Sequence, residues 1–194
     1  MVSRLVRGTA VACGVAAVAG AAIGFALGDP VQPEDILAAR SLPADLCERL
    51  GDVRSLLPEA SKGPVTLTQV GTSTVTCSVQ AVSSRRTFAS VALNVTVTPY
   101  GGRDIGAGKA PLTPPQHAKW TWDRSPLETV ANRTYSTKLS GTARGIGGES
   151  WSVNALVRRG DIVVHVVYAA GPIERKVAEQ AALVLADRAI WETK

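Results

Sequence analysis

A chain of 194 residues with a net charge of +5 carries too weak a positive excess for nucleic-acid binding, which needs a dense basic stripe. Without Arg4 and Arg7 the balance is 19 basic to 16 acidic residues, so the body of the chain is less basic still. About 166 residues remain after the first 28, enough for one domain with a single substantial core that needs neither a structural metal nor several disulfides.

Arg4 and Arg7 precede an uncharged run from Gly8 to Gly28, which ends at Asp29, Pro30, Glu34 and Asp35. A positive flank followed by about 20 apolar residues predicts a membrane-crossing helix whose amino end stays in the cytoplasm. Two outcomes fit residues 1–28. As a signal anchor the segment stays, giving a single-pass protein of the cell membrane with its domain outside. As a signal peptide it is removed near Gly28, where Ala26-Leu27-Gly28 supplies small residues at the positions a signal peptidase reads, and the domain is secreted. Acylation at Cys13 fits poorly, because only Gly8 to Ala12 separate it from Arg7.

Residues 29–40 read as a polar, Pro-containing tether with room for a helical turn, and residues 41–194 as the extracytoplasmic domain. Ser41 is expected to cap a helix with Pro43 in its first turn, its apolar stripe formed by Leu46, Leu50, Val53 and Leu57. Three β-type runs follow, Val65 to Val70, Thr74 to Val82 and Thr87 to Thr98. The last two alternate apolar and polar residues, which predicts an antiparallel sheet. Cys47 on the helix and Cys77 on the second strand are the two cysteines beyond the membrane segment. In an oxidising compartment they are expected to form a disulfide closing a loop of 30 residues.

Pro99 to Gln116 is rich in Gly and Pro and reads as a long exposed loop, the first place to look for a binding lip. Thr113 is positioned to cap a short helix from Pro114 to Trp120, and Glu128 to Ser136 reads as a strand. Trp151 to Arg158 and Asp161 to Ala169 form a hairpin around Arg159-Gly160, its second strand apolar on both faces except at His165. Pro172 opens a final helix with a stripe of Ile173, Val177, Ala181, Val184 and Leu185. The sum is an α+β domain of about six antiparallel strands in two meanders, packed by amino- and carboxy-terminal helices on one face.

Chemistry is sparse. Ser150, Asp161 and His165 follow the order of a small serine hydrolase, but Gly148-Glu149-Ser150-Trp151-Ser152 ends in Ser where the nucleophile turn wants Gly. Gly106-Ala107-Gly108-Lys109-Ala110 fails as a phosphate loop at Arg103 and at Ala110. Arg159-Gly160-Asp161 spells an adhesion tripeptide at a hairpin tip, where a turn wants Gly in any case. His117 and His165 lack neighbouring ligands in a metal-binding spacing, and no pattern calls for a metal or a cofactor. Trp120 and Trp122, two apart beside the Gly/Pro-rich loop, are the candidate ligand contacts; in an extended chain both point to one side. Arg85-Arg86 and Arg158-Arg159 are candidates for contact with anionic headgroups or wall polymers.

The run Gly147-Gly148-Glu149-Ser150-Trp151, followed by Val157-Arg158-Arg159-Gly160-Asp161-Ile162-Val163-Val164, then Tyr168 and an Ala-rich helix, resembles exported actinobacterial envelope proteins of unknown function, many of them lipoproteins. The resemblance covers Leu42 to Trp191 in layout, including one helix Cys and one strand Cys, and implies an α+β envelope domain. It carries no functional residue across. The expected function is therefore a non-enzymatic binding or interaction module of the bacterial envelope. Its expected partners are the membrane, through residues 1–28, and an envelope protein or glycolipid. Its rivals are the small hydrolase and a lipid or glycolipid carrier, which requires an apolar cavity of several hundred Å³ between sheet and helices.

Overall fold

The computed structural model describes residues 32, 35–57, 68–82, 90–106, 108–144 and 150–193. The predicted membrane segment, the start of the first β run, Arg85-Arg86 and Gly147 to Glu149 lie outside these residues. Among the described residues no helix is long and apolar enough to cross a membrane.

Among the described residues seven strands form one antiparallel sheet: β1 (Thr68–Val70), β2 (Val75–Val82), β3 (Ser90–Pro99), β4 (Glu128–Val130), β5 (Ser136–Arg144), β6 (Ser150–Arg159) and β7 (Ile162–Gly171). Their order across the sheet is β1-β2-β3-β7-β6-β5-β4, so each meander keeps its sequence order and the two join where β3 pairs with β7. Among the described residues the edge strands β1 and β4 span three residues each. The expectation of six strands falls one short. Glu128 to Ser136 is not one strand but the β4–β5 turn with β4 before it, and Asn132, at φ 58°, turns the chain there.

Alternation divides the sheet into two unlike faces. One register row runs Cys77, Val95, Val166, Ala155, and every member is buried. The next row, on the other face, runs Thr76, Thr96, His165, Leu156, Lys138. The apolar face is covered by the long helix Arg175–Glu192, which packs on β6 and β7. The predicted stripe of this helix is rotated from the observed one. Ala178, Ala181, Ala182, Leu185, Ala186, Ala189 and Ile190 are buried, whereas Val177 is half exposed. Alanines let the helix axis approach the sheet closely, so the strand valines supply most of the core volume. Each fully buried Val or Leu contributes roughly 1.5–3 kcal/mol.

The expected helix from Ser41 is broken into α1 (Leu46–Arg49) and a single 3₁₀ turn, Arg54–Leu56. Gly51 breaks it: with φ at +69°, it donates its N–H back to the Glu48 carbonyl and ends the α-helical ladder. The stripe survives the break, and Leu46, Leu50, Val53 and Leu57 are all buried. Four ties hold this segment on the domain. Cys47 and Cys77 form the expected disulfide. The Gln69 side chain donates to the Ala44 carbonyl and accepts from the Cys47 N–H. Arg188 reaches the Asp52 carbonyl at 3.0 Å, and the buried Tyr168 hydroxyl donates to the Leu56 carbonyl at 2.8 Å.

The remaining helix, α2 (Pro114–Asp123), contacts β6 and β7 from the polar face of the sheet. The helices therefore do not all share one face as expected. The long carboxy-terminal helix is α3 in chain order.

Replacing both Cys47 and Cys77 by Ala is expected to lower unfolding free energy by about 3–4 kcal/mol in urea titrations, the chain-entropy value for a loop of this length; an unchanged midpoint contradicts the staple. Burial raises the Tyr168 phenol to about 12 from 10.0. Its contribution to stability is thus complete below pH 10 and lost as the pH climbs toward 12, because the unfolded chain ionises first. Tyr168→Phe removes that alkaline loss and costs about 1–2 kcal/mol at neutral pH by leaving the Leu56 carbonyl unpaired. Identical wild-type and Phe profiles from pH 7 to 12 contradict this reading.

Candidate functional site

The site grows from the tight β6–β7 turn, which Gly160 makes with φ at +57°. Asp161 follows it and is buried. Arg40 grips both its carboxylate oxygens, Nε to Oδ2 at 2.8 Å and Nη2 to Oδ1 at 2.5 Å, in the two-pronged geometry that makes such pairs strong. The Asp161 carbonyl accepts the Tyr100 N–H at 2.8 Å. One residue thus binds the end of the tether, the hairpin and the start of the loop after β3.

Two residues on, Gly102 donates to the Leu37 carbonyl at 2.7 Å. Backbone lies against backbone here, since a Cβ on Gly101 would fall 2.8 Å from both the Ala39 nitrogen and the Leu37 oxygen. Residues 37–40 contain no helical turn; they run along the loop. Arg103 and Leu112 pair as an antiparallel bridge that closes the base of the loop. His117 fixes α2 to it: Nδ1 lies 2.9 Å from the Gly101 carbonyl, and the ring meets Tyr100 edge-on at 4.9 Å.

Both tryptophans lie on α2, which runs to Asp123 rather than ending at Trp120. Two helical steps turn the chain by about 200°, so the pair points to opposite sides, unlike the extended chain for which a shared side was expected. Trp120 faces outward and is 36% exposed. The Arg124 guanidinium carbon stacks 3.4 Å from its ring centroid and that of Arg103 lies 4.6 Å away. Neither guanidinium has a carboxylate within salt-bridge range among the described residues. Trp122 turns inward beneath Lys138, whose Nζ is 4.5 Å from the ring.

Lys138, unremarked in the sequence, is the residue that seats α2. It is buried, and its ammonium donates to the carbonyls of Asp123 at 3.1 Å and Ser125 at 2.8 Å. A cation at a helix carboxy-terminus neutralises carbonyls that the helix leaves unpaired. The available signal was faint: Lys138 is the lone charge between Arg133 and Arg144, two residues beyond the run Glu128 to Ser136 that reads as a strand.

The would-be hydrolase residues are not assembled. His165 pairs in register with Leu156, six residues along β6 from Ser150, which is about 20 Å at strand spacing. The Ser150 hydroxyl packs over Gly171, where a Cβ would lie 2.0 Å from it. The Asp161 carboxylate is taken by Arg40, and burial lowers the His165 imidazole, favouring its neutral form. The adhesion tripeptide is equally occupied, because Arg159 lies over the rings of Tyr135 and Trp191. Arg158 donates to the Ser136 hydroxyl. Among the described residues no cluster of His, Cys, Asp or Glu is suited to hold a metal.

An apolar groove of about 360 Å³ lies between residues 55–57 and the first turns of α3, lined by Leu56, Leu57, Ile173, Val177 and Val184 among others. It opens beside the outer flank of α3 and not between sheet and helix, where Val95, Val166, Leu185 and Tyr168 are fully buried.

No protein-family model matches the chain, and no curated protein matches it. Among solved structures it is similar to the crystal structure of the extracellular domain of PknH from Mycobacterium tuberculosis, at 12% identity over 88% of this chain and 91% of that one, with a TM-score of 0.32. At that level the likeness carries no argument about function.

Lys138→Met keeps the aliphatic contact with Trp122 but strands the Asp123 and Ser125 carbonyls. A loss of about 2 kcal/mol is expected, with a changed near-ultraviolet dichroism from the displaced indole. Unaltered stability and dichroism contradict its role in seating α2.

Proposed function

We propose that the protein is a non-enzymatic binding or interaction module of the bacterial cell envelope, displayed outside the membrane by residues 1–28. Its contact surface is the Gly/Pro-rich loop together with Trp120. The observation that carries this reading is an exposed indole with two guanidiniums over its ring that no described carboxylate neutralises. Large rigid aromatics and Arg are the residue types that dominate contact energies in recognition surfaces. The Cys47–Cys77 bond supports the compartment, since such bonds persist where thiols are not kept reduced. Trp122, turned inward under Lys138, belongs to the support of this surface and not to its face.

A lipid or glycolipid carrier is the second reading: the apolar groove beside α3 has the volume it requires but not the place expected between sheet and helices. Its volume is at the lower end of small-molecule sites, and the groove is open along one side of the helix.

A β-lactamase fused after Lys194 tests the display directly. The module reading predicts ampicillin resistance and a protein in which Cys47 and Cys77 resist alkylation until reduced. A sensitive strain with both thiols freely alkylated contradicts it.

A further inference from the structure

We infer that the surface formed by Arg103, Lys109, Trp120 and Arg124 docks on the anionic phospholipid surface to which the domain is tethered. The inference rests on the display reading above and names the partner of its contact surface.

Distance supplies the first argument. Leu37 is bonded to Gly102, immediately before Arg103. Eight residues separate Gly28, the end of the apolar run, from Leu37, and a fully extended chain of that length spans at most about 30 Å. Arg103 is thereby confined near the point where the chain leaves the bilayer. Among the described residues, Arg40 and the backbone of residues 37–39 lie against this loop and the adjoining hairpin.

Charge supplies the second. Arg103, Lys109 and Arg124 have no carboxylate partner among the described residues. Asp104, the one acid of the loop, accepts from the Gly106 N–H at 2.9 Å, and Lys119 is neutralised one helical turn on by Asp123 at 2.6 Å. Three cations thus stand against a single carboxylate, and phosphate headgroups are the complement within reach.

The apolar side chains supply the third. Six large apolar side chains are exposed among the described residues, and three of them belong here: Leu37 on the tether at 61%, Ile105 on the loop at 40% and Trp120 on α2 at 36%. A soluble polyanion gives these no role. A bilayer surface does, since indole settles at the headgroup level while Arg and Lys meet phosphate and lay their stems along the apolar boundary. Stacked on Trp120, Arg124 already holds its guanidinium in a fixed place, so little side-chain freedom is lost on docking.

The test uses the full chain inserted in nanodiscs of phosphatidylglycerol brominated near the head of its acyl chains, with brominated phosphatidylcholine discs as the neutral control. Docking predicts quenching of tryptophan emission in the anionic discs, a component that disappears in Trp120→Phe. Arg103→Gln and Arg124→Gln leave the ring in place and are each expected to lower the docked-to-undocked ratio about fivefold. Equal quenching in both lipids overturns the inference, as does quenching that survives Trp120→Phe or that neither Arg variant alters. If the lactamase fusion reports export while Trp120 emission is untouched by bromine, docking is refuted and the module reading stands. If the fusion reports a cytoplasmic domain, both are lost.

Discussion

The pairing of Arg40 with Asp161 organises the end of the molecule that carries the candidate site. It joins residues 121 apart, and through the Asp161 carbonyl it also fixes Tyr100, the first residue beyond β3. From there the order is transmitted without interruption: Gly102 to Leu37, α2 to the loop through His117 and Gly101, and α2 to the sheet through Lys138. Remove the ion pair and the loop keeps its bridge between Arg103 and Leu112, but its position relative to the incoming chain is set only by backbone contacts. Half of the Arg40 side chain remains exposed, so the energetic worth of the pair is modest. Its consequence is geometric: residues 37–40 and the proposed contact surface arrive at the same end of the domain.

The scaffold behind that surface was largely legible in the sequence because it is built on strict alternation. Val75, Cys77 and Val79, and then Leu93, Val95 and Val97, fall on one face of the sheet as their spacing requires, and the helix–strand cysteine pair closes where the two patterns meet. Legibility failed where one residue overrides a pattern. Gly51 breaks a helix whose stripe is otherwise complete, and Asn132 folds a single predicted strand into a hairpin. The carboxy-terminal helix misled in another way. Ala181 and Leu185 of the expected stripe are buried, but Val177 is not, and close approach to a valine-rich sheet adds the alanines at 178, 182, 186 and 189.

The candidate site was legible in place but not in arrangement. The Gly/Pro-rich loop and Trp120 are where composition pointed. What composition does not contain is the partner of each group. Nothing in the spacing of Arg40 and Asp161, or of Lys138 and Asp123, announces a contact, because those pairs are made by how the fold orders its elements in space, Arg40 against the β6–β7 turn and the end of α2 against β5. The same ordering separates Ser150 from His165 by six positions of β6, so a sequence order resembling a catalytic triad has no counterpart in space. It also explains why Trp120 and Trp122 serve different ends: one helix presents the first to solvent and locks the second over a buried ammonium.

Amide hydrogen exchange at Tyr100 and Gly102 tests most directly whether the tether and loop are held by the Asp161 junction. Both N–H groups are bonded to backbone carbonyls, of Asp161 and of Leu37, so they are expected to exchange far more slowly than the exposed loop amides of Asp104 and Ile105, with protection reduced at both positions in Asp161→Ala, which keeps those carbonyls but loses the Arg40 pair. If Tyr100 and Gly102 exchange at the rate of those loop amides in the unaltered protein, the tether is not docked and the placement of the contact surface near the membrane is contradicted.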